Sequence, residues 1–392
     1  MRQTIKDTVE EFWSFEVVEE IGRKRAAPDS VDFLQEFLDL LGIRGAIWPV
    51  PSGRRAIEWV LKSTAKPGKD SVLICNFNCP AVSDAVLNAG FVVETFDFSS
   101  VNGSIDWGAI VESLKPEHAA IIIPHLFGVP YDFSEIIETC RSMDVLIIED
   151  CAHTVGALIG DRPTGTVGDA AVFSFNYDKP LSLGWGGALL ANTKALASKV
   201  QIPRMEGISV EWEYKKMSEF NAFLIHRRRM IGHESIFHRA MRKITRANRF
   251  DLPDTSIGPL RAALGLWQLE RYSKVLKLRN DNANFVVDSS QNYSCWPVGK
   301  NIKPAWLRQK VITNLPHQGI AIAKRLRREG MRVGNFNWPK PIDHSQNGKE
   351  TASHLLSRFG LDIPVHQNMS KDLLRKICHD LNGKDQKDGI IA

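Results

Sequence analysis

Apolar and polar positions alternate in blocks along residues 45–192, where each short apolar run is followed by an amphipathic stretch. The runs SVLIC, AAIIIP and VLIIED are apolar at successive positions, whereas RRAIEWVLKS and AVSDAVLNAG have helical spacing. Continuous apolar runs of this length are typical of strands buried on both faces of a parallel sheet. The pattern therefore predicts an α/β fold, with a mostly parallel sheet and helices on both of its faces.

The pattern changes after VLIIED, where two further strand-like runs, DAAVFSF and GGALLAN, follow with only a loop containing Lys179 between them. Residues 202–250 indicate a basic helical or irregular insertion. The stretch GPLRAALGLWQLERYSKVLKLRNDNANFV then has the spacing of one long amphipathic helix. We expect a large domain over residues 1–265, which includes the insertion, and a linking helix with a small C-terminal α/β domain over residues 266–392.

The positive charge of the chain is concentrated in one segment. The 392 residues carry 50 Lys and Arg against 45 Asp and Glu, and residues 221–250 hold much of this excess with Glu234 as their one acid. We give equal weight to a solvated face and to contact with an anionic acceptor or polyanionic surface. His226, His233 and His238 lie there without a set of carboxylates or cysteines, so we expect no metal site, and no nucleic-acid partner is expected.

Apolar runs and cysteines indicate the cellular compartment. No apolar run approaches the length of a bilayer span, and the start MRQTIKDTVEEFW is charged where a signal peptide would be apolar. The six cysteines are scattered, and only Cys75 and Cys79 are close, so we expect reduced thiols and no zinc site. These features predict a cytoplasmic protein.

Strand ends carry the first candidate chemistry, because ligands of open α/β sheets bind beyond the carboxyl ends of strands. Asp150 ends VLIIED, and a buried carboxylate there requires a cationic or donor partner such as a pyridinium nitrogen. Ser52 and Gly53 precede a helix whose first backbone N–H groups can bind phosphate. Arg54 and Arg55 add positive charge. Taken singly, the Asp is better explained as a turn cap and the Ser as a helix N-cap.

Lys179 is the second candidate, within SFNYDKPLSLGWGG. Pro180 disfavours helical geometry at Lys179, and a desolvated lysine can form an imine with a carbonyl. A lysine chosen at random is more often a solvated surface residue. A loop lysine, a strand-end Asp150 and a phosphate-ready helix start nevertheless match together what pyridoxal 5'-phosphate (PLP) requires: an imine, a partner for its ring nitrogen and a phosphate anchor.

The central segment EDCAHTVGALIGDRPTGTVGDAAVFSFNYDKPLSLGWGGALLAN resembles the core of the DegT/DnrJ/StrS-type sugar aminotransferases, which are fold type I PLP enzymes. The resemblance extends through HLFGVPYDFSEI, RAALGLWQLERYSKVLKLR and GLDIPVHQNMSKDL. It implies that Lys179 forms the imine with PLP, that Asp150 pairs with the pyridine nitrogen and that Ser174 binds the phosphate. It also places His153, where the family usually has Gln, near the ring hydroxyl.

The phosphate-binding positions depart in part from the family's pattern. SGRRAI stands where the family has SGTxAL, which places Gly53, Arg54 and Arg55 at the phosphate, with Arg54 in place of a threonine. Asp254 falls where the neighbouring subunit of a homodimer usually offers an Asn to the phosphate. An acid at this position would repel phosphate unless Arg54 or another cation neutralises it.

The positions around the cofactor ring also depart from the pattern. Cys79 replaces the aromatic side chain that usually stacks on the ring, so stacking is weakened or passes to Phe77. The Asn that usually follows the lysine is Pro180, and the acid before the GG pair is Trp185. These changes leave open a non-catalytic member that retains the scaffold.

The resemblance implies a PLP-dependent aminotransferase that acts as a homodimer. An amino group would pass from glutamate or glutamine to a keto sugar, nucleotide-linked by resemblance, or to a cyclitol ketone. Two alternatives remain: a PLP-dependent sugar dehydratase, which usually lacks the lysine, and a scaffold or regulatory protein. The retained Lys179 favours the aminotransferase.

Overall fold

The computed structural model describes residues 15–24, 28–205, 207–229, 254–313, 316–328, 340–342 and 351–382. The strands are, in chain order, β1 (Ala46–Val50), β2 (Ser71–Cys75), β3 (Phe77–Asn78), β4 (Val92–Phe96), β5 (His118–Pro124), β6 (Leu146–Asp150), β7 (Leu158–Ile159), β8 (Arg162–Pro163), β9 (Ala170–Ser174), β10 (Gly187–Ala191), β11 (Ser294–Cys295), β12 (Ile302–Lys303), β13 (Arg308–Ile312), β14 (Lys340–Pro341) and β15 (Gly360–Pro364).

The α-helices of this part of the chain are α1 (Phe15–Lys24), α2 (Ser30–Leu41), α3 (Gly53–Thr64), α4 (Pro80–Asn88), α5 (Trp107–Ser113), α6 (Ile137–Ser142), α7 (Lys194–Ala197), α8 (Val210–Arg229), α9 (Pro259–Leu269), α10 (Tyr272–Asp288), α11 (Pro316–Arg328), α12 (Ala352–Phe359) and α13 (Lys371–Asn382). A single 3-10 turn at Ser134–Ile136 leads into α6.

A seven-stranded sheet forms the centre of the molecule, with the strand order β1-β10-β9-β6-β5-β2-β4. Strands β9, β6, β5, β2 and β4 run parallel to one another, whereas β10 is antiparallel to both β9 and β1. Every residue of β2 and of β10 is buried, as the continuous apolar runs predict. The predicted α/β fold with a mostly parallel sheet is confirmed.

Helices cover both faces of this sheet. On one face, α3 and α4 bury Val60 and Val86 in a cluster with strand residues such as Ile122. On the other face, α2 and α9 cover β9 and β10, and the ring of Phe37 meets that of Phe173 edge-on at 5.1 Å. The carboxyl ends of β6 and β9 therefore lie at an edge of the sheet framed by helices, where ligands of such folds bind.

The C-terminal part forms a three-stranded antiparallel sheet, in the order β11-β13-β15. Its residues Val311 and Leu361 belong to the same apolar cluster as Ile121 of β5 and Phe127, which follows β5. The expected boundary between residues 265 and 266 falls inside α9, so that helix is continuous across it. The division into two domains stays a prediction.

The prediction of one long helix after the insertion is wrong. The chain turns at Glu270 and Arg271, where the Arg271 N–H donates to the Gln268 carbonyl at 3.0 Å, and α10 begins at Tyr272. The two helices contact different parts of the chain. Helix α9 packs beside the Lys179 loop, whereas Tyr272, the first residue of α10, donates its hydroxyl hydrogen to the Val155 carbonyl at 2.9 Å. A straight helix could not satisfy both contacts.

The first half of the predicted insertion is helical. Helix α8 buries Met217, Phe220 and Leu224 in the apolar cluster of α2 and α9, so this part is integrated into the fold. Residues 230–253, with His233 and His238, and the side chain of His226 lie outside the described residues. The contact of residues 221–250 with a polyanion therefore stays a prediction.

Within the described ranges, none of the helices combines the length and the apolar character that crossing a bilayer requires.

Candidate active site

The predicted phosphate turn is built where β1 passes into α3. Ser52 caps the helix, and its Oγ accepts a hydrogen bond from the Arg55 N–H at 3.3 Å. A Cβ added to Gly53 would lie 3.4 Å from the Cβ of Ser174, so the turn and the end of β9 are in direct contact. Gly187, paired with Ser174, allows this approach, because a Cβ there would lie 2.9 Å from the Gly53 nitrogen. The structure therefore brings Gly53 and Ser174 together, as the resemblance implies.

Arg55 and Asp254 form an ion pair at the outer side of this turn. Arg55 Nε donates to Asp254 Oδ1 at 3.0 Å, Nη2 donates to Asp254 Oδ2, and Nη1 donates to Glu58 Oε2 at 2.7 Å. The hydrogen bond with Asp254 raises the pKa of Arg55 above its usual range, although burial acts against it. Arg54 is exposed, and its side chain makes no hydrogen bond to any residue that the structure describes.

The expectation that Asp254 reaches the phosphate of a neighbouring subunit stays a prediction. Within its own chain, the Asp254 carboxylate pairs with Arg55. The physical reason is charge: residues 254–255 pass beside α3, whose first turn carries a guanidinium, and the guanidinium fork matches a carboxylate. The cation that neutralises Asp254 is therefore Arg55 and not Arg54.

The loop over residues 175–186 carries Lys179 between β9 and β10. Its base is closed by two backbone hydrogen bonds at 2.9 Å, from Phe175 N to the Gly186 carbonyl and from Leu183 N to the Phe175 carbonyl. The side chain of Lys179 is only 11% exposed, and its Nζ lies 3.8 Å from Asp178 Oδ1. A solvated surface lysine is therefore excluded, and the amine is held in the protein.

Asp150 lies at the end of β6, within electrostatic reach of Lys179. Its Oδ1 accepts a hydrogen bond from the Ala152 N–H at 3.0 Å, which is the turn-cap role that the sequence left open. Burial raises the pKa of Asp150, even though the Ala152 N–H and the charges of Lys179 and His125 act in the opposite direction. An additional cation beside this carboxylate would stabilise its charged form.

His153 is a buried, neutral imidazole beside the same lysine. Its Nδ1 accepts a hydrogen bond from the Phe127 N–H at 3.3 Å, which places the ring proton on Nε2. Burial lowers its pKa well below the usual value, and the charges of Lys179 and Arg308 lower it further. Phe127 has a positive φ of 57°, and its carbonyl accepts the Leu307 N–H at 2.9 Å, so this strained residue joins His153 to the segment before β13.

Cys79 lies at the N-terminus of α4, where the charges of Lys179, Asp150 and Asp178 all act on its thiol. Burial raises the pKa of this thiol, which keeps it protonated and weakly nucleophilic. Phe77 is fully buried in the core and packs against the Phe98 ring at 5.7 Å. The side chain of Phe77 is therefore not available for stacking on a cofactor ring.

The metal-ligating side chains that lie closest together in the described part of the chain are His125, Glu149 and Cys151, with their ligand atoms within 4.8 Å. Glu149 already accepts hydrogen bonds from His125 Nε2 at 3.0 Å and from three backbone N–H groups of residues 165–168. This carboxylate is thus occupied in anchoring the segment before β9. It supports β6 directly behind Asp150.

Two charged residues near the lysine were not singled out in the sequence. Asp178 directly precedes Lys179, so its position was visible, but nothing in the pattern showed that its side chain turns to the same side. Arg308 comes from β13, and its N–H approaches the Phe127 carbonyl at 3.4 Å while Nη1 lies 3.6 Å from Asp362. No local signal links it to a site whose lysine lies 129 residues earlier in the chain.

Comparison with known proteins gives this site a context. The family model of the DegT/DnrJ/EryC1/StrS aminotransferase family matches residues 6–382. GDP-perosamine synthase from Caulobacter vibrioides is 29% identical over 184 residues, which are 47% of this chain and 49% of that protein. L-glutamine:scyllo-inosose aminotransferase from Streptomyces griseus is 28% identical over 181 residues, which are 46% of this chain and 42% of that protein.

The chain thus aligns with about half the length, or less, of these curated relatives. The crystal structure of the aminotransferase TlmJ from Streptoalloteichus hindustanus has the same fold, with a TM-score of 0.71 at 19% identity, over 94% of this chain and 95% of that chain. Since the family model extends over nearly all of its length, the chain belongs to the DegT/DnrJ/EryC1/StrS aminotransferase family.

Proposed function

We propose that the protein is a PLP-dependent aminotransferase that moves an amino group from glutamate or glutamine to a keto sugar or a similar ketone. The family is PLP-dependent, and a related structure is a PLP form. The observation that carries the proposal is the lysine loop: the side chain of Lys179 is 11% exposed, its charge acts on the strand-end Asp150, and its loop begins after Ser174, which contacts Gly53.

The residues of the site fit PLP. Gly53 leaves the start of α3 without a Cβ, so the backbone N–H groups of the first turn are accessible to a phosphate, and Ser174 adds a hydroxyl beside them. Arg54 is the exposed cation of this turn. Asp150 is a carboxylate whose burial raises its pKa, and a pyridinium nitrogen supplies the positive charge that such a group needs.

We assign the site residues as follows. When bound, PLP supplies an aldehyde for an amine and a ring that takes up the electron pair left by a departing α-proton. Lys179 would hold the cofactor through Nζ and, once freed, its amine would move the α-proton as general base and acid. Asp150 would keep the ring nitrogen protonated. His153, whose pKa is lowered by burial, would stay neutral and could donate from Nε2 to the ring hydroxyl.

The substrates and the assembly are part of the same proposal. The relative named L-glutamine:scyllo-inosose aminotransferase supports glutamine as a donor, and GDP-perosamine synthase supports a nucleotide-linked sugar as the acceptor. We propose a homodimer with the site at the interface, where Asp254 and Arg55 lie beside the phosphate turn. We also propose a cytoplasmic location, which the six free thiols support.

The two alternatives make different demands on the site. A sugar dehydratase of the family usually lacks the lysine, whereas Lys179 is present and nearly enclosed. A non-catalytic scaffold does not require a carboxylate whose pKa is raised by burial together with a lysine that is only 11% exposed. The aminotransferase therefore accounts for more of the site.

The test is the visible absorbance of the purified protein with added PLP, before and after glutamate or glutamine. A band that requires Lys179 and bleaches with the donor establishes the first half-reaction. Lys179→Ala should abolish the band, whereas Lys303→Ala, which removes an exposed lysine, should leave it intact. Absence of the band in the wild type would refute the enzyme and favour the scaffold.

A further inference from the structure

We propose that α9 is the positioning element of the lysine loop, and that Gln268 and Arg261 are positioning residues that set where Lys179 stands relative to the phosphate turn. The inference deepens the proposed function, and it rests on that function only where it concerns PLP binding. Helix α9 is part of the stretch RAALGLWQLERYSKVLKLR, to which the proposed chemistry assigns no role.

Gln268 is fully buried, and its carboxamide makes the two hydrogen bonds that the backbone of a neighbouring strand would make. Its Nε2 donates to the Ser182 carbonyl at 2.7 Å, and its Oε1 accepts the Ser182 N–H at 3.1 Å. Ser182 is itself buried, three residues after Lys179. One side chain thus satisfies both backbone groups of a loop residue that has no strand beside it, and an unpaired buried backbone group is costly.

Arg261 holds a second point of the loop. Its Nη1 donates to the Trp185 carbonyl at 3.2 Å, and its guanidinium carbon lies 4.3 Å from the centre of the Trp185 ring. The guanidinium is fixed in turn by the buried Glu213, which accepts from Arg261 Nε at 2.5 Å. Because Glu213 also accepts the N–H groups of Gly258 and Leu260, the charged pair is satisfied on both sides.

Ser182 and Trp185, the two loop residues that α9 contacts, lie between the lysine and the phosphate turn along the chain. Directly after Trp185, Gly186 forms a bridge with Ser52, the residue that caps α3. The other end of the loop continues from Ser174, which contacts Gly53. Up to the lysine the loop is held by its own hydrogen bonds, since the Lys179 N–H donates to the Asn176 carbonyl at 3.0 Å. In the stretch that follows, the contacts to α9 hold Ser182 and Trp185, in addition to the bond from Leu183 N to the Phe175 carbonyl. Loss of the Gln268 contact should therefore displace the amine from the turn.

If Gln268 had a purely structural role, its loss would lower stability alone, whereas a positioning role would also weaken PLP binding. A control variant that loses a similar buried carboxamide elsewhere distinguishes these two roles. Gln268→Met keeps an unbranched side chain of similar size but can neither donate to nor accept from Ser182. The control is Asn282→Leu in α10, which removes another buried carboxamide that holds backbone, the His366 carbonyl at 3.0 Å, away from the lysine loop.

The experiment measures the dissociation constant of PLP from the visible absorbance, together with the urea midpoint of each variant. We expect Gln268→Met to weaken PLP binding at least tenfold, and Asn282→Leu to change it less than twofold at a comparable loss of stability. After borohydride reduction and peptide mass analysis, the fraction of PLP trapped on Lys179 should fall only in Gln268→Met. Affinity and trapping equal to those of the control would overturn the proposal.

Two further measurements cover the remaining cases. If Gln268→Met does not fold, Gln268→Glu replaces it, because the carboxylate still accepts the Ser182 N–H but cannot donate to the carbonyl; unchanged PLP affinity would then contradict the inference. If the wild type binds no PLP, the proposed function fails, but the contact of Gln268 with the Ser182 backbone remains testable by hydrogen exchange. The Ser182 amide should exchange at least tenfold faster in Gln268→Met than in Asn282→Leu, and equal rates would refute a positioning role of this contact.

Discussion

The two oxygens of Asp150 have separate tasks, since Oδ1 caps the turn at Ala152. Asp150→Asn retains the shape and an oxygen for the cap but removes the charge that, in the proposed function, keeps the ring nitrogen protonated. We predict that the half-reaction with glutamate or glutamine slows by roughly 100-fold or more, while PLP still binds. Stopped-flow loss of the PLP absorbance measures this rate. Asp161→Asn, which changes a solvent-exposed carboxylate, is the control, and equal rates in both variants would contradict the assignment.

His153 gives the stability of the fold a dependence on pH. Burial lowers its pKa below the usual 6.5, so at acid pH the unfolded chain binds a proton that the folded chain does not. The free energy of unfolding therefore falls as the pH falls below about 6.5. His153→Gln should reduce the difference in stability between about pH 7.5 and pH 5.5 by about 1.4 kcal/mol.

Urea unfolding at both pH values measures this effect. The exposed His379→Gln is the control, because its imidazole is in contact with solvent in the folded and in the unfolded chain. A pH dependence that is the same in His153→Gln and in the wild type would show that the buried imidazole is not the source.

At the scale of elements, Gly187 sets the distance between β10 and the start of α3. A Cβ there would lie 2.5 Å from the Phe173 carbonyl oxygen and 2.9 Å from the Gly53 nitrogen, and both are backbone atoms that cannot rotate away. We predict that Gly187→Ala lowers the free energy of unfolding by about 1–3 kcal/mol and weakens PLP binding. Gly53→Ala, whose Cβ meets Ser174 at an ordinary 3.4 Å, should retain more of the free energy of unfolding. Equal effects in the two variants would argue against a steric cause.

The same scale shows what the sequence could predict. Strands β2, β5 and β6 were recognisable because each contains a run of successive apolar residues, which burial on both faces of the sheet favours. The break between α9 and α10 was not predictable, since the apolar spacing continues through Glu270 and Arg271. It depends on contacts to the lysine loop and to Val155, which are distant in sequence.

At the scale of the whole molecule, a buried ion pair within the C-terminal sheet lies against Phe127, which follows strand β5 of the central sheet. Lys310 Nζ donates to Asp362 Oδ1 at 2.8 Å and lies 5.0 Å from the Phe127 ring centre, while Arg308 approaches the second oxygen of Asp362. We predict that Asp362→Leu costs about 3–5 kcal/mol of stability, because two cations then face each other in the interior. Lys310→Met should cost less, since Asp362 keeps Arg308 nearby. Urea unfolding ranks the two variants, and the reverse order would refute this explanation.

The candidate site was predictable where its residues lie at ends of apolar runs. Lys179, Asp150 and Ser174 each follow or end such a run, and the structure places them around one edge of the sheet. The partner of Asp254 was not predictable, because it lies 199 residues away and the choice between Arg54 and Arg55 depends on which faces outward from α3. Contacts of this kind are set by packing and leave no periodic signal in the sequence.

The separation between the lysine loop and α9 has a consequence for how the protein is made. Ser182 and Gln268 are 86 residues apart, so at about 5–20 residues per second the ribosome adds Gln268 about 4–17 s after Ser182. During this interval the nascent chain carries Lys179 in a hairpin that α2 contacts through Phe33 and Phe175 but that α9 does not yet hold. We therefore expect PLP to be captured late in biosynthesis, after α9 has emerged from the exit tunnel.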